Sequence, residues 1–251
     1  MTTPAPNWFD RGGADYARHR PDYPDALAAF LAEQVLDRAC AVDVGCGNGQ
    51  FTRRLAEHFT DVVGLDPSAD QLAHAVAHPR IRYAPAPAER LAVPDGSASL
   101  IAAAQAAHWF DLPAFYGEVR RVAAPGAVVA LVSYGVLALD ADSKADARFR
   151  RFYADEIGPY WPPERRMVDD GYAGIPFPFA EIPLPPLVIR RDWTLDALLG
   201  YVGTWSATRR AREAGAGHRL DAFAADMAAL WGDPSTPRPV TWPVNGRLGR
   251  V

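Results

Sequence analysis

A glycine-rich segment at residues 43–49, Asp-Val-Gly-Cys-Gly-Asn-Gly, constrains the fold of this chain more than any other feature. An apolar run at residues 41–44 predicts a strand that leads into it. Phe51, Leu55 and Phe59 then share one face of the helix expected after it. Glycine has no Cβ, so its backbone can turn sharply and approach a ligand closely. The segment therefore predicts a ligand-binding loop at the end of a strand, and a glycine-rich turn without a ligand is the alternative.

Short apolar runs and amphipathic stretches continue to alternate as far as Ser133. Further strands are predicted at residues 62–65, 81–84, 100–104 and 127–132, with helical patterns between them. Ser68 is expected to cap the helix that follows the strand at residues 62–65. This alternation favours an α/β fold with a doubly wound, mostly parallel sheet and helices on both faces.

The pattern changes after Ser133. A helix is predicted over residues 146–157, and the many prolines of residues 159–186 exclude a long helix or a central strand there. A strand is predicted over residues 187–193. Thr194 is then expected to cap a helix whose apolar face runs from Leu195 to Trp205. A further helix and a final antiparallel strand or hairpin over residues 240–251 follow. This second half is expected to form a cap over the core.

The composition limits the classes of partner and the location. A formal net charge of -4 and a pI of about 5.9 argue against nucleic acid as a partner, because phosphate binding usually needs a basic surplus. Cys40 and Cys46 are interpreted as free thiols of a reducing compartment. No apolar run is long enough to span a membrane, and the first ten residues do not resemble a secretory signal. We therefore expect a cytoplasmic protein with no membrane partner.

The spacing of the glycines distinguishes between cofactors. A dinucleotide-binding loop has the pattern G-x-G-x-x-G, whereas here the third glycine, Gly49, comes one residue early and Gln50 takes its place. Asp66 ends the second predicted strand, where a carboxylate can accept hydrogen bonds from both hydroxyls of a ribose. A helix cap is the alternative role for Asp66. A nicotinamide-dependent oxidoreductase remains the alternative enzyme class, and titration with NADH would test it.

These motifs resemble those of the class I S-adenosylmethionine-dependent methyltransferases, in their methyltransferase type 11 branch. The resemblance covers about residues 9–133 and is carried by residues 43–49, 64–68, 88–91, 105–110 and 122–126. The motifs Tyr16-x-x-x-Arg20-Pro21-x-Tyr23-Pro24 and Gln105-Ala106-x-His108-Trp109-Phe110, with the proline-rich cap, further resemble the trans-aconitate methyltransferase-like enzymes.

The resemblance implies a Rossmann-like, seven-stranded sheet, mostly parallel with an antiparallel final strand, and a helical cap. We expect a single domain over residues 1–251. It would comprise an N-terminal helical cover over residues 1–36, a cofactor-binding core over residues 37–133, and cap inserts with the final strands over residues 134–251. The cofactor implied is S-adenosyl-L-methionine, with S-adenosyl-L-homocysteine as its product.

The resemblance also implies a set of cofactor-binding residues, which are Tyr16, Arg20, Asp43, Gly45, Cys46, Gly47, Gly49, Leu65, Asp66, Pro67, Ala88, Glu89 and Gln105. The loop glycines would contact the amino-acid part of the cofactor, and Asp43 would hold the loop or the cofactor amine. Asp66 would bind the ribose. Gln105 would lie beside the methionine chain or its carboxylate.

The remaining members of this set would surround the adenine or cover the cofactor. Leu65 and Pro67 would flank the adenine, and Ala88 and Glu89 would reach its edge. Glu89 has a solvated loop carboxylate as its alternative role. Tyr16 and Arg20 would close over the cofactor, with Arg20 paired to a carboxylate of cofactor or substrate. Packing within an N-terminal helix is their alternative role.

His108 and Trp109 follow the fourth predicted strand and are the candidate catalytic residues. An indole near a sulfonium provides a cation–π contact, and an imidazole can accept a proton from an attacking hydroxyl or amine. A structural hydrogen bond for His108 and a core position for Trp109 are the alternatives. No Cys/His spacing indicates a metal site.

A small molecule is the expected methyl acceptor, with a carboxylate oxygen as the expected site of methylation. The cap contains candidate cations for a carboxylate clamp, which are Arg148, Arg150, Arg151, Arg165 and Arg166. Neighbouring acidic residues could instead neutralise them. O-methylation of a phenol, N-methylation of a small amine and a non-catalytic cofactor-binding protein remain alternatives, and the protein is expected to be a monomer or a homodimer.

Overall fold

A single mixed sheet organises the molecule. The computed structural model describes residues 19–140 and 143–251, so Tyr16 lies outside the described residues. The strands are β1 (Cys40–Val44), β2 (Asp61–Asp66), β3 (Ile81–Pro85), β4 (Ala98–Ala104), β5 (Ala123–Tyr134), β6 (Ala180–Ile182), β7 (Leu187–Trp193) and β8 (Arg238–Arg250). Their order is β3-β2-β1-β4-β5-β8-β6, and β7 also pairs with β8.

The strand directions explain where a ligand can bind. Strands β1 to β5 run parallel, and β8 is antiparallel to β5, with Ala130 opposite Leu248. The chain leaves β1 for β2 on one side and returns to β4 on the other, so the strand order reverses between β1 and β4. Open α/β sheets bind ligands at such a reversal, outside the carboxyl ends of the strands.

The α/β fold with a mostly parallel sheet and an antiparallel strand is confirmed, but the described residues form eight strands rather than seven. The additional pairing arises because β8 is 13 residues long. One part of it pairs with β6 and another with β7. Two short segments expected in the cap therefore extend the sheet.

Helices cover both faces of the sheet. They are α1 (Asp25–Gln34), α2 (Gln50–Ala56), α3 (Ala69–Ala73), α4 (Leu112–Val122), α5 (Lys144–Arg151), α6 (Arg165–Asp169), α7 (Leu195–Gly203), α8 (Ser206–Glu213) and α9 (Gly217–Trp231). A π-helical turn at Phe152–Glu156 continues α5, and 3₁₀ turns lie at Ala107–Trp109 and Gly158–Tyr160.

Local signals set several of these helix ends. The hydroxyls of Ser68 and Thr194 accept hydrogen bonds from the backbone N–H groups of Gln71 and Ala197, which confirms both predicted N-caps. The expectation that Trp205 continues the helix begun at Leu195 is wrong. Trp205 is in an extended conformation and precedes a separate helix, α8.

Alternate residues of each central strand contribute to two hydrophobic cores. In β4, Leu100 and Ala102 face one core while Ile101 and Ala103 face the other, as the two-residue period of a strand requires. The first core packs α1, α2 and the cap helices α5 and α7–α9 on the sheet, and the second packs α4 and α6. The described part of the cap is therefore continuous with the first core. Among the described residues, no helix is long and apolar enough to cross a bilayer.

Candidate functional site

The glycine loop, residues 43–49, connects β1 to α2 at the strand-order reversal. Gly45, Gly47 and Gly49 have φ angles of 70°, 55° and 82°, which are left-handed conformations that disfavour other residues. A Cβ at Gly45 would lie 2.5 Å from the Ala106 Cβ, and a Cβ at Gly49 would collide with the Tyr83 hydroxyl. At Gly47 the nearest atom would be 3.5 Å away. Gly47 is therefore the position in the loop with space for a ligand.

Asp66 fixes this loop from the neighbouring strand. Its carboxylate accepts hydrogen bonds from the backbone N–H groups of Gly47 and Ser68, both at 2.8 Å. An ionised carboxylate has about four acceptor positions, so these two bonds are compatible with additional donors such as ribose hydroxyls. The cap of α3 is provided by Ser68 rather than by Asp66. The position of Asp66 thus suits the predicted ribose contact.

Asp43, the first residue of the loop, is buried at its base with only 1% of its surface exposed. One carboxylate oxygen accepts a 2.6 Å hydrogen bond from the Thr52 hydroxyl, while the other, Oδ1, is buried without a hydrogen-bond partner. Burial raises the pKa of Asp43 to about 7, and the nearby charge of Asp66 contributes to the increase. A buried carboxylate oxygen in this state fits the ammonium group of the predicted cofactor.

The next residues of the predicted set have different environments. The Cys46 thiol is buried, and this burial raises its pKa, so it remains protonated. The structure argues against an adenine contact by the Leu65 side chain, because that side chain is fully buried in the second core. Its carbonyl instead accepts hydrogen bonds from the N–H groups of Gly45 and Cys46. Pro67 is exposed beside Asp66.

The turn after β3 lies beside Asp66. The Ala86 N–H donates a 3.3 Å hydrogen bond to the Asp66 carbonyl, and Ala88 is buried in the same turn. Glu89 is exposed, and its carboxylate accepts a 3.0 Å hydrogen bond from the Asp111 N–H at the start of α4. This contact favours the alternative role of Glu89 as a solvated loop carboxylate.

Gln105 joins the carboxyl ends of β4 and β5. Its φ angle is 58°, which is uncommon for a residue other than glycine. Its side-chain oxygen accepts a 3.1 Å hydrogen bond from the Tyr134 N–H, and its own N–H donates to the Val132 carbonyl at 2.8 Å. Backbone strain of this kind is concentrated at functional sites.

His108 is held in the 3₁₀ turn after β4, with 8% of its surface exposed. Its Nδ1 lies 2.9 Å from the hydroxyl of the buried Tyr172. Burial, followed by the charges of Arg165 and Arg20, lowers the pKa of His108 to about 3. The imidazole is therefore neutral at pH 7 and a weak proton acceptor, which favours the structural alternative. The Trp109 ring packs against it at an interplanar angle of 46°, with ring centroids 4.8 Å apart, and is partly exposed.

Arg20 links the N-terminal segment to the cap at this edge of the sheet. It donates hydrogen bonds to the Tyr134 hydroxyl at 3.2 Å and to the Thr204 carbonyl at 3.3 Å. Its guanidinium also lies 5.4 Å from the centroid of the Tyr201 ring. Arg20 is thus positioned at the carboxyl end of β5, as its predicted covering role requires.

The predicted clamp of five cap arginines is wrong as a whole, because most of them have structural partners or face solvent. Arg148 pairs with Glu156 and Asp226, Arg150 with Asp146, and Arg151 with Glu156. Arg166 is exposed.

Arg165 differs from the other cap arginines, because its side chain is only 12% exposed. Its Nε lies 3.0 Å from both the Asp169 carboxylate and the Tyr153 hydroxyl, and its guanidinium carbon is 4.8 Å from the Trp161 ring centroid. Its terminal nitrogens make no hydrogen bond with any described residue. Arg165 therefore presents a fixed cation whose field reaches His108.

The sequence motifs did not identify some of the partners that hold the site. Thr52 fixes Asp43, Tyr172 fixes His108, and Tyr153 fixes Arg165. Tyr172 is 64 residues from His108 along the chain, so no local pattern connects the two. Its φ angle of 64° is an additional constraint that the sequence does not reveal.

Comparisons with known proteins find similarity to methyltransferases. The family model described as "Methyltransferase domain" matches residues 42–131. A protein of Dictyostelium discoideum named as a methyltransferase is 34% identical over 214 residues, which cover 82% of this chain and 81% of that one. A solved structure described as a type II methyltransferase from Anaeromyxobacter dehalogenans is 47% identical, with a TM-score of 0.85, over 92% of this chain and 97% of that one. The malonyl-[acyl-carrier protein] O-methyltransferase of Pectobacterium atrosepticum is 35% identical over 94 residues, 37% of each chain.

Proposed function

Because the chain belongs to the class I S-adenosylmethionine-dependent methyltransferases, in their type 11 branch, we propose that it methylates a carboxylate oxygen of a small acid. The observation that carries the proposal is the fixed Arg165 guanidinium. Asp169 and Tyr153 hold its Nε, so its terminal donors are oriented before an acceptor arrives. A preorganised guanidinium suits a carboxylate, because it can donate two parallel hydrogen bonds.

The state of His108 supports the same acceptor class. A phenol or an ammonium must lose a proton to become a nucleophile, and a histidine with a pKa of about 3 accepts protons poorly. A carboxylate is already ionised at pH 7 and needs no base. When bound, the cofactor would supply an activated methyl group on its sulfonium, with the sulfur as leaving group, and Arg165 would hold the carboxylate oxygen that receives the methyl group.

The remaining residues would bind and align the two reactants. We assign the cofactor ammonium to the buried Asp43 carboxylate, the ribose to Asp66 and the amino-acid part to the open side of the loop at Gly47. Gln105 and Trp109 would line the passage between cofactor and acceptor. Alignment and exclusion of water are the main contributions that such a site can make to a displacement.

A relative lends limited support to oxygen as the methylated atom. The Pectobacterium atrosepticum protein that matches 37% of this chain is named an O-methyltransferase. The matched part is short, so the acceptor class rests on the arrangement around Arg165 and His108.

The proposal is tested with S-adenosylmethionine labelled in its methyl group and a panel of small acids, phenols and amines. We expect label to be transferred to acids and released as volatile methanol in mild alkali, because methyl esters hydrolyse readily. Alkali-stable label on phenols or amines alone would contradict a carboxylate acceptor and would restore His108 as a candidate base.

Arg165 is tested in the same assay with a matched control. Arg165→Gln is expected to raise the KM for the acid about 10- to 100-fold, which is the change expected when a charged hydrogen bond to the acid is lost. Arg166→Gln removes the neighbouring exposed charge and should leave the KM unchanged. The affinity for S-adenosylhomocysteine should be the same in both variants. Equal KM values for the two variants would remove Arg165 from the acceptor site.

A further inference from the structure

A cavity of about 270 Å³ lies between the core and the cap. Its wall includes Gln50 and Arg53 of α2, Arg191 and Trp193 of β7, and Arg20. The two β7 residues lie outside the part of the chain that matches the methyltransferase family model. We call this cavity the arginine pocket, after Arg20, Arg53 and Arg191.

Arg53 has an unusual environment for an arginine. Its guanidinium makes no hydrogen bond or ion pair with any described residue, and its Nε is shielded from solvent. A polar group that loses contact with water normally has a hydrogen-bond partner, because leaving it without one costs free energy. No described residue therefore supplies an acceptor to the Arg53 guanidinium, which lies on a cavity wall where a ligand could supply one.

The other charges on the wall leave an excess of positive charge. Arg191 donates hydrogen bonds to the backbone carbonyls of Asp22, at 3.1 Å, and Arg190, at 2.8 Å. Asp22 is the one carboxylate among the described lining residues, and it lies 3.5 Å from Arg54 outside the cavity wall. Among the described lining residues, three guanidinium groups thus share the wall with one carboxylate, and that carboxylate has a cationic neighbour of its own.

We propose that the arginine pocket binds an oxyanion group, a carboxylate or a phosphate, carried by a small ligand of the enzyme. The volume is slightly below the roughly 300–1,000 Å³ of pockets for whole drug-sized ligands, so it suits the charged end of a molecule or a small free anion. Guanidinium groups bind both oxyanions through paired hydrogen bonds.

The pocket is connected to the reaction centre through Arg20. The Arg20 guanidinium contacts the Tyr134 hydroxyl at the end of β5, and its charge contributes to the low pKa of His108. An anion in the arginine pocket and an acceptor near His108 would therefore lie on opposite sides of Arg20. This inference does not depend on which atom of the acceptor is methylated.

Calorimetric titration with inorganic phosphate tests the pocket without turnover. We expect wild type to bind phosphate, and Arg53→Gln to weaken the binding about ten-fold or more, because a charged hydrogen bond is lost. Arg212→Gln removes an exposed arginine of α8 and serves as the matched control, with unchanged binding. Affinity should also fall with added sodium chloride, because salt screens exposed charges.

Two further titrations distinguish the source of the anion. If the cofactor supplies it, Arg53→Gln weakens S-adenosylhomocysteine about ten-fold but leaves 5′-methylthioadenosine, which has no carboxylate, unaffected. If a separate molecule supplies it, only phosphate binding is weakened. Arg191→Gln repeats the test from the other wall, and thermal unfolding checks that each variant is folded. Unchanged affinity for both phosphate and S-adenosylhomocysteine in the folded variants would overturn the proposal.

Discussion

The burial of Asp43 makes the stability of this protein depend on pH in a direction opposite to that of most carboxylates. Its folded pKa is raised from 3.8 to about 7, so the folded state binds a proton more tightly than the unfolded state does. Stability from this group is therefore greatest at low pH and is lost as the pH rises from about 4 to about 7.

The size of the effect follows from the two pKa values. Between pH 5 and pH 8, the Asp43 contribution to the free energy of unfolding should fall by about 2.5 kcal/mol, an order-of-magnitude figure for a group that is 1% exposed. In Asp43→Asn the group no longer titrates, while the amide oxygen can still accept the hydrogen bond from Thr52. The variant should become more stable than wild type as the pH increases.

Urea unfolding of wild type and Asp43→Asn at pH 5 and pH 8 measures this difference, and other titrating groups cancel between the two proteins. Calorimetry with S-adenosylhomocysteine adds a second readout. An ammonium group beside Asp43 would lower its pKa, so binding near pH 7 should release a proton from wild type and none from the variant. Parallel pH profiles of unfolding would refute the buried, protonated Asp43.

Three further changes test the rest of the site. Asp66→Ala should weaken cofactor binding by about 1.5–3 kcal/mol, the value of a charged hydrogen bond, and unchanged affinity by calorimetry would contradict the ribose contact. In Gly47→Ala the added methyl group fits sterically, but residue 47 has a φ angle of 55°, so the free energy of unfolding should fall by about 1–2 kcal/mol. The methyl group should also block cofactor binding, and normal binding would show that the loop is only a turn. His108 has a pKa lowered from 6.5 to about 3, so its stabilising contribution is lost as the pH falls below 6.5. Relative to His108→Gln, wild type should gain about 2 kcal/mol of unfolding free energy from pH 5 to pH 8, and a flat difference would contradict a neutral, buried imidazole.

The parts of the fold that the sequence predicted are those set by local patterns. Strands β1 to β5, the hydroxyl caps at Ser68 and Thr194 and the final antiparallel strand each depend on nearby residues. The strand at β7 was predicted, but β6 lies in the proline-rich segment and was not. The pairing of both strands with β8 could not be predicted, because β6 contacts residues 248–250 and β7 contacts residues 238–244, which are distant in sequence. The break at Trp205 also has no strong local signal, since the apolar spacing continues through it.

The candidate site likewise combines features that short motifs specify with features that depend on tertiary contacts. The glycine loop and Asp66 are specified by short motifs, because the backbone conformation and the strand end are local properties. The environment of His108 depends on Tyr172 and Arg165, which are distant in sequence, so its low pKa could not be predicted. The same is true of the cap arginines, since five similar side chains differ only in their tertiary partners. Burial and the contacts with Tyr153 and Trp161 single out Arg165.

The charges around the reaction centre give a physical reason why an anionic acceptor suits this site. Arg20 and Arg165 both act on the buried His108, so two positive charges influence a region of low polarity. A bound sulfonium adds a third, and repulsion among them is strongest where water is excluded. A neutral amine acceptor would leave three positive charges in place, because the charge lost by the sulfonium appears on the amine as the methyl group is transferred. A carboxylate acceptor offsets one positive charge on binding, and transfer then removes both its own charge and that of the sulfonium. The field that keeps His108 neutral is therefore consistent with the proposed acid acceptor, since it would attract a carboxylate and repel the ammonium form of an amine.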